Sequence, residues 1–193
     1  MASRYDDELW QLVPEDAEPP PAPLVRFVRS LGERESALDL GCGDGRLTAE
    51  LSARELTAAD VSPVALERAR RRLPASARLV ELEPDAPLPL GDSRFDLVLC
   101  ADTLEHVRDV QLLLSETRRV LRPGGTLAVA TPTHGRLTAL RLLVRGFESG
   151  FDPLSPHLRF FTRRSLEHVL RELGFEPRSL RSEGGALLAT AVR

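Results

Sequence analysis

Lysine, asparagine and isoleucine are missing from the chain altogether, so all 26 of its basic residues are arginine. The three share AT-rich codons, and a GC-rich genome accounts for their loss. One consequence is chemical: a lysine Schiff base and a lysine general base are both excluded. Cysteine is scarce, and Cys42 and Cys100 alone cannot build a disulfide framework. No window nears the roughly 18 uninterrupted apolar residues of a membrane span. The N-terminal stretch MASRYDDELW lacks the basic-then-apolar pattern of a secretion signal. A basic excess is missing too, since the net charge is −3, and a dedicated nucleic-acid binder needs one. These absences lead us to expect a cytoplasmic protein with neither a membrane nor a nucleic acid as partner.

What is present suits one globular domain. The chain has 193 residues, 42% of them hydrophobic and 28% charged. The proline-rich stretch PEDAEPPPAP (14–23) reads as a stiff linker, so residues 1–23 form a tethered N-terminal segment and 24–193 the body. Apolar spacing predicts a helix over 23–31, a strand at SALDL, a helix at RLTAELSAR and a strand ending at Asp60. Ser62 followed by Pro63 is a helix start. Strands follow at ARLVELE and RFDLVLC. The helix RDVQLLLSETRRVL should stop at RPGG, before a strand at TLAVAT. This βαβα alternation predicts an α/β fold with a doubly wound, mostly parallel sheet. The end breaks the rhythm. Thr162 caps a helix that Gly174 ends, and FEPRSLR and ALLATAV are separated only by SEGG, which predicts an antiparallel hairpin. Residues 133–161 read as an insert between the fifth strand and the last helix. The arginines of ERARRRL (67–73) fall on the polar side of a helix and read as a solvated face.

The loop LDLGCGDGR directly follows the first strand. Three alternating glycines at 41, 43 and 45 exceed what one tight turn needs, and they predict close approach of backbone to a ligand. The loop lacks the lysine of a P-loop, and its third glycine comes one residue early for a dinucleotide fingerprint. Asp60 ends the next strand. In a parallel sheet it shares the ligand edge, where a carboxylate can accept two ribose hydroxyls.

With ADVSP, PLPLGDSRFDLVLCADTLEHV, LRPGGTLAVATP and HLRFFTRRSLEHVLRELGF, that loop resembles the class I S-adenosylmethionine-dependent methyltransferases over about residues 24–192. The likeness is greatest to the small-molecule branch with the ubiquinone-type O-methyltransferases. It implies a seven-stranded sheet, and S-adenosylmethionine as cofactor with S-adenosylhomocysteine as product. By that resemblance the loop Asp39, Gly41, Cys42, Gly43 and Gly45 passes under the methionine part. Asp60 would hold the ribose, with Val61 against adenine. Glu83 and Asp85 are both candidates for the adenine amino group. The Ala101 backbone and the Asp102 side chain would face the methionine amino group. The expected activity is methyl transfer to a hydroxyl or amine of a small molecule. RNA 3′-end ribose methylation and non-catalytic cofactor binding are the alternatives.

A hydroxyl or amine acceptor calls for a base, and histidine suits that near neutral pH. His106 and His134 follow the fourth and fifth strands and are the candidates. His168 lies on the polar side of its helix. Asp102, Glu105 and His106 have metal-ligand types, and ubiquinone-type and small-RNA enzymes bind a divalent ion at a similar pattern. The same residues also shape a turn, and a divalent metal here is the less favoured of the two readings. Tyr5, Trp10, Phe147, Phe151 and His157 are candidates for an acceptor pocket, closed by the N-terminal segment and the insert.

Overall fold

A computed structural model of the chain describes residues 2–14, 18–146 and 155–193. Helices α1 (Ala2–Leu12) and α2 (Ala22–Arg29) precede β1 (Arg34–Leu40). Then come β2 (Ala53–Asp60), α3 (Pro63–Arg72), β3 (Arg78–Glu81), β4 (Phe95–Ala101) and α4 (Val110–Val120). The chain finishes with β5 (Leu121–Pro132), α5 (Arg136–Arg145), α6 (Arg163–Glu172), β6 (Glu176–Glu183) and β7 (Ala186–Val192).

Seven strands make one sheet in the order β3-β2-β1-β4-β5-β7-β6. Strands β1 to β5 pair in parallel, and β7 runs antiparallel to both β5 and β6. This is the doubly wound sheet expected, with its antiparallel end. Gly184 and Gly185 join β6 to β7 with φ of 58° and 84°, the positive values that a two-residue hairpin of this hand requires.

Side-chain alternation builds the two cores. Leu38, Leu40, Val98, Cys100, Leu127 and Val129 face α4 and α6, where Leu114, Leu166 and Leu170 are fully buried. Their neighbours Ala37, Leu97, Leu99, Ala128 and Ala130 face Leu24, Phe27 and Val28 of α2. Each central strand is thus covered on both sides, and its apolar run follows from that. Ser62 caps α3 as expected, its Oγ accepting from the Ala65 amide at 3.2 Å. Thr162 caps α6 in a reciprocal box with Ser165.

Two elements differ from the sequence reading. The helix expected at RLTAELSAR is only a 3-10 turn over Thr48–Glu50. Arg34 pairs with Ala53, which draws Ala53 and Arg54 into β2 and leaves too little chain for a full helix. The RPGG stretch is not a break either. Helix α4 ends at Val120, and Leu121 already pairs with Phe95, so Arg122–Gly125 becomes an irregularity within β5.

Candidate functional site

A cavity of about 570 Å³ opens at the C-terminal ends of the parallel strands. Leu40 and Gly41 at the end of β1, Asp60 and Val61 at the end of β2, the stretch after β3, and Asp102, Thr103 and residues 106–109 after β4 line it. Leu9 and Trp10 of α1 form one wall, and Ser155, Pro156 and Leu158 another. Ligands of open α/β sheets bind at this edge.

The three glycines have three different neighbours. A Cβ on Gly41 would run into the Thr103 side chain, whose Oγ1 lies 3.1 Å from the Leu40 carbonyl. A Cβ on Gly45 would press on Ala69 of α3 and on Leu73 just after it, at 3.2 and 3.3 Å. A Cβ on Gly43 would lie 2.6 Å from Cζ2 of Trp10. All three have positive φ, so turn geometry demands glycine as well. Gly41 and Gly43 line the cavity, whereas Asp39, Cys42 and Gly45 lie behind the lining.

Beneath the loop, Asp39 is 2% exposed and its Oδ2 accepts from Thr48 Oγ1 at 2.6 Å. Burial, reinforced by the nearby Asp60 charge, pushes its carboxyl up to about 7, against the bond from Thr48. Burial also pushes the Cys42 and Cys100 thiols up, which leaves both poor nucleophiles. Asp60 is already engaged with backbone. Its Oδ2 accepts from the Gly43 amide at 2.8 Å and its Oδ1 from the Ser62 amide at 2.9 Å.

Glu83 and Asp85 both line the cavity. Asp85 has φ 55° and its carboxylate is 3.6 Å from Arg108. Asp102 lines the cavity with φ 51°, in the left-handed region that Asp tolerates. Ala101 is buried at the end of β4 and outside the lining.

The loop after β4 brings titratable side chains to the cavity. His106 lines the cavity, and its Nδ1 lies 3.1 Å from the Pro156 carbonyl. A carbonyl only accepts, so Nδ1 carries the hydrogen and a neutral ring has its lone pair on Nε2. His157 packs edge-on against His106, with ring centroids 4.8 Å apart. Glu105 is 1% exposed; its Oε2 accepts from Thr131 and its Oε1 has no partner among the described residues. Burial pushes its carboxyl up to about 7. Ligand atoms of Glu105, His106 and His157 lie within 4.8 Å of one another, a spacing that could hold a cation. The trio read from the sequence had Asp102 where the structure has His157. His134 is not in the lining. It stacks edge-on with Phe160, its amide bonds the Phe161 carbonyl, and burial lowers its pKa.

Among the acceptor-pocket candidates, Trp10 lines the cavity at the glycine loop, and His157 sits beside it through His106. Phe147 and Phe151 lie outside the described residues, as does the side chain of Tyr5. Sequence reasoning passed over Thr103, Val107 and Leu113, which line the cavity with no motif of their own. No helix among the described residues is long and apolar enough to cross a membrane.

Residues 38–129 match the family model of the methyltransferase domain. The chain is 34% identical over 158 residues to malonyl-[acyl-carrier protein] O-methyltransferase of Methylococcus capsulatus, covering 79% of this chain and 56% of that protein. It is 28% identical to O-methyltransferase cnsE of Penicillium expansum, over 78% of this chain and 58% of the relative. The chain thus spans little more than half the length of these curated relatives. A solved putative methyltransferase from Bacillus halodurans superposes with a TM-score of 0.73 at 17% identity, covering 89% of this chain and 99% of that one. A methyltransferase structure from Aquifex aeolicus gives 0.68 at 17% identity, over 90% and 93%. At such identities the structural likeness speaks for the fold.

Proposed function

Because the chain belongs to the class I S-adenosylmethionine-dependent methyltransferases, we propose that it methylates a hydroxyl or amine of a small-molecule acceptor. The observation that carries this reading is the cavity itself. Asp60, Glu83, Asp85, Asp102 and Asp109 line it, and Arg108, the one arginine among its described lining residues, is paired with Asp85. An acid-lined site suits a cationic ligand and repels a phosphate. S-adenosylmethionine, when bound, supplies a methyl group on a sulfonium, open to in-line displacement.

The chain's own residues do the rest. Asp60, at the end of β2, presents its carboxylate to the ribose hydroxyls. Val61, Leu82 and Leu88 supply apolar surface beside Glu83 and Asp85 for the adenine. His106 Nε2 takes the acceptor proton, with Pro156 holding the productive tautomer. Walls from α1 and from residues 155–158 exclude water and leave room for a small metabolite rather than a polymer. The O-methyltransferase relatives support an oxygen acceptor.

Labelled S-adenosylmethionine should pass its methyl group into a metabolite extract, and calorimetry should detect S-adenosylmethionine but not NAD. Label in RNA instead would favour 3′-end ribose methylation. Binding with no label anywhere would make the chain a non-catalytic cofactor binder.

A further inference from the structure

Resting on that cofactor reading, we infer that Asp7 is the latch of a cofactor-coupled lid, a positioning residue that holds Trp10 over the glycine loop. Asp7 Oδ1 accepts from Ser62 Oγ at 2.5 Å and faces the Val64 amide at 3.4 Å. Both donors sit at the first turn of α3, where unpaired amides favour an anion. Ser62 in turn gives its amide to Asp60, and Asp60 accepts from Gly43, on which Trp10 lies. A short polar chain therefore links the lid helix α1 to the carboxylate assigned to the ribose.

The chain just beyond α1 is held by polar contacts as well. Arg68 donates to the Val13 carbonyl at 2.8 Å and reaches over the Trp10 ring at 6.0 Å. Arg46, beside the loop, donates to the Glu18 carbonyl at 2.6 Å. None of the described side chains of α1 belongs to a core cluster, and Leu12 is 80% exposed. Few buried apolar contacts and solvent-reachable hydrogen bonds mark an element that opens locally, well before the sheet does. A ligand that touches Trp10 and Asp60 together favours the closed state by its differential contacts.

Trp10 is the only tryptophan in the chain, so its emission reports the lid directly. Acrylamide quenching and S-adenosylhomocysteine titration would be measured on the wild type and on Asp7→Ala. In the wild type, ligand should protect Trp10 from quencher. In Asp7→Ala, Trp10 should be red-shifted and quenched freely without ligand. S-adenosylhomocysteine should bind about tenfold more weakly, the loss expected of one charge-assisted hydrogen bond, and dissociate faster. Thermal unfolding should stay close to wild type, since no described side chain of α1 belongs to a core cluster. Wild-type quenching and affinity in the variant would overturn the latch. Failure of the wild type to bind S-adenosylhomocysteine would overturn the cofactor reading and the coupling drawn from it. Docking of α1 by Asp7 would then stand or fall on the quenching difference alone.

Discussion

The carboxylate of Asp60 accepts a hydrogen bond from the amide of Gly43 at 2.8 Å, so the end of β2 holds the glycine loop that follows β1. One residue thereby shapes the loop and faces the cavity that the loop borders. Asp60→Ala should weaken S-adenosylhomocysteine binding by about 1–3 kcal/mol. It should also lower unfolding stability by about 1–2 kcal/mol, because the Gly43 and Ser62 amides lose their acceptor. Calorimetry and urea unfolding check the two effects separately. Unchanged affinity would remove Asp60 from the binding site.

Gly43→Val tests what lies above the loop. The new Cβ would meet Trp10 at 2.6 Å, and valine is poorly suited to a φ of 53°. Cofactor affinity should fall at least tenfold, and Trp10 emission should shift to the red as α1 is displaced. Backbone strain should cost about 1–2 kcal/mol with or without the collision. A double-mutant cycle with Trp10→Ala separates the two, since the collision term disappears in the double mutant. A coupling energy of zero would mean that Trp10 does not rest on Gly43.

Local signals were read well where the chemistry is local. ADVSP announces both the acid that ends β2 and the capped proline start of α3, and SEGG announces the hairpin. The RLTAELSAR helix misled because its periodicity is genuine, while the competing pairing of Arg34 with Ala53 is set by the partner strand. Thr103 against Gly41, Trp10 against Gly43 and His157 against His106 are contacts between distant segments. Nothing in the spacing of a single segment encodes them. The glycines were legible as a loop, but not as three seats for three different side chains.

Asp39 makes stability depend on pH. Its carboxyl is held at about 7 in the fold, against 3.8 for an ordinary aspartate. Between those values the folded protein keeps a proton that the unfolded chain has released. The stabilisation is full below about pH 3.8 and is lost as pH rises through about 7. Asp39→Asn keeps an acceptor for Thr48 and removes the titration. It should gain on the wild type as pH rises from 5 to 8, by a margin on the order of 2–4 kcal/mol. Glu105, also held at about 7, keeps part of the pH dependence in the variant. Urea unfolding of ligand-free protein across that range is the measurement. Parallel curves for the two proteins would show that Asp39 is ionised in the fold throughout.

The two candidate bases should separate cleanly. His106 lines the cavity, with Nδ1 against the Pro156 carbonyl and Nε2 left to accept a proton. His134 stacks on Phe160, away from the lining, and burial lowers its pKa. His106→Gln should therefore lower turnover by about 10²–10⁴, the usual contribution of a general base, while leaving S-adenosylhomocysteine affinity within about twofold. His134→Gln should leave turnover within a few-fold and act on stability instead, because it removes the ring that packs edge-on against Phe160. The readout is kcat with the acceptor identified by the label screen, set beside a thermal melt of each variant. If His134→Gln lost turnover and His106→Gln did not, the proton would leave by the far side of the insert, and the base would have to be assigned there.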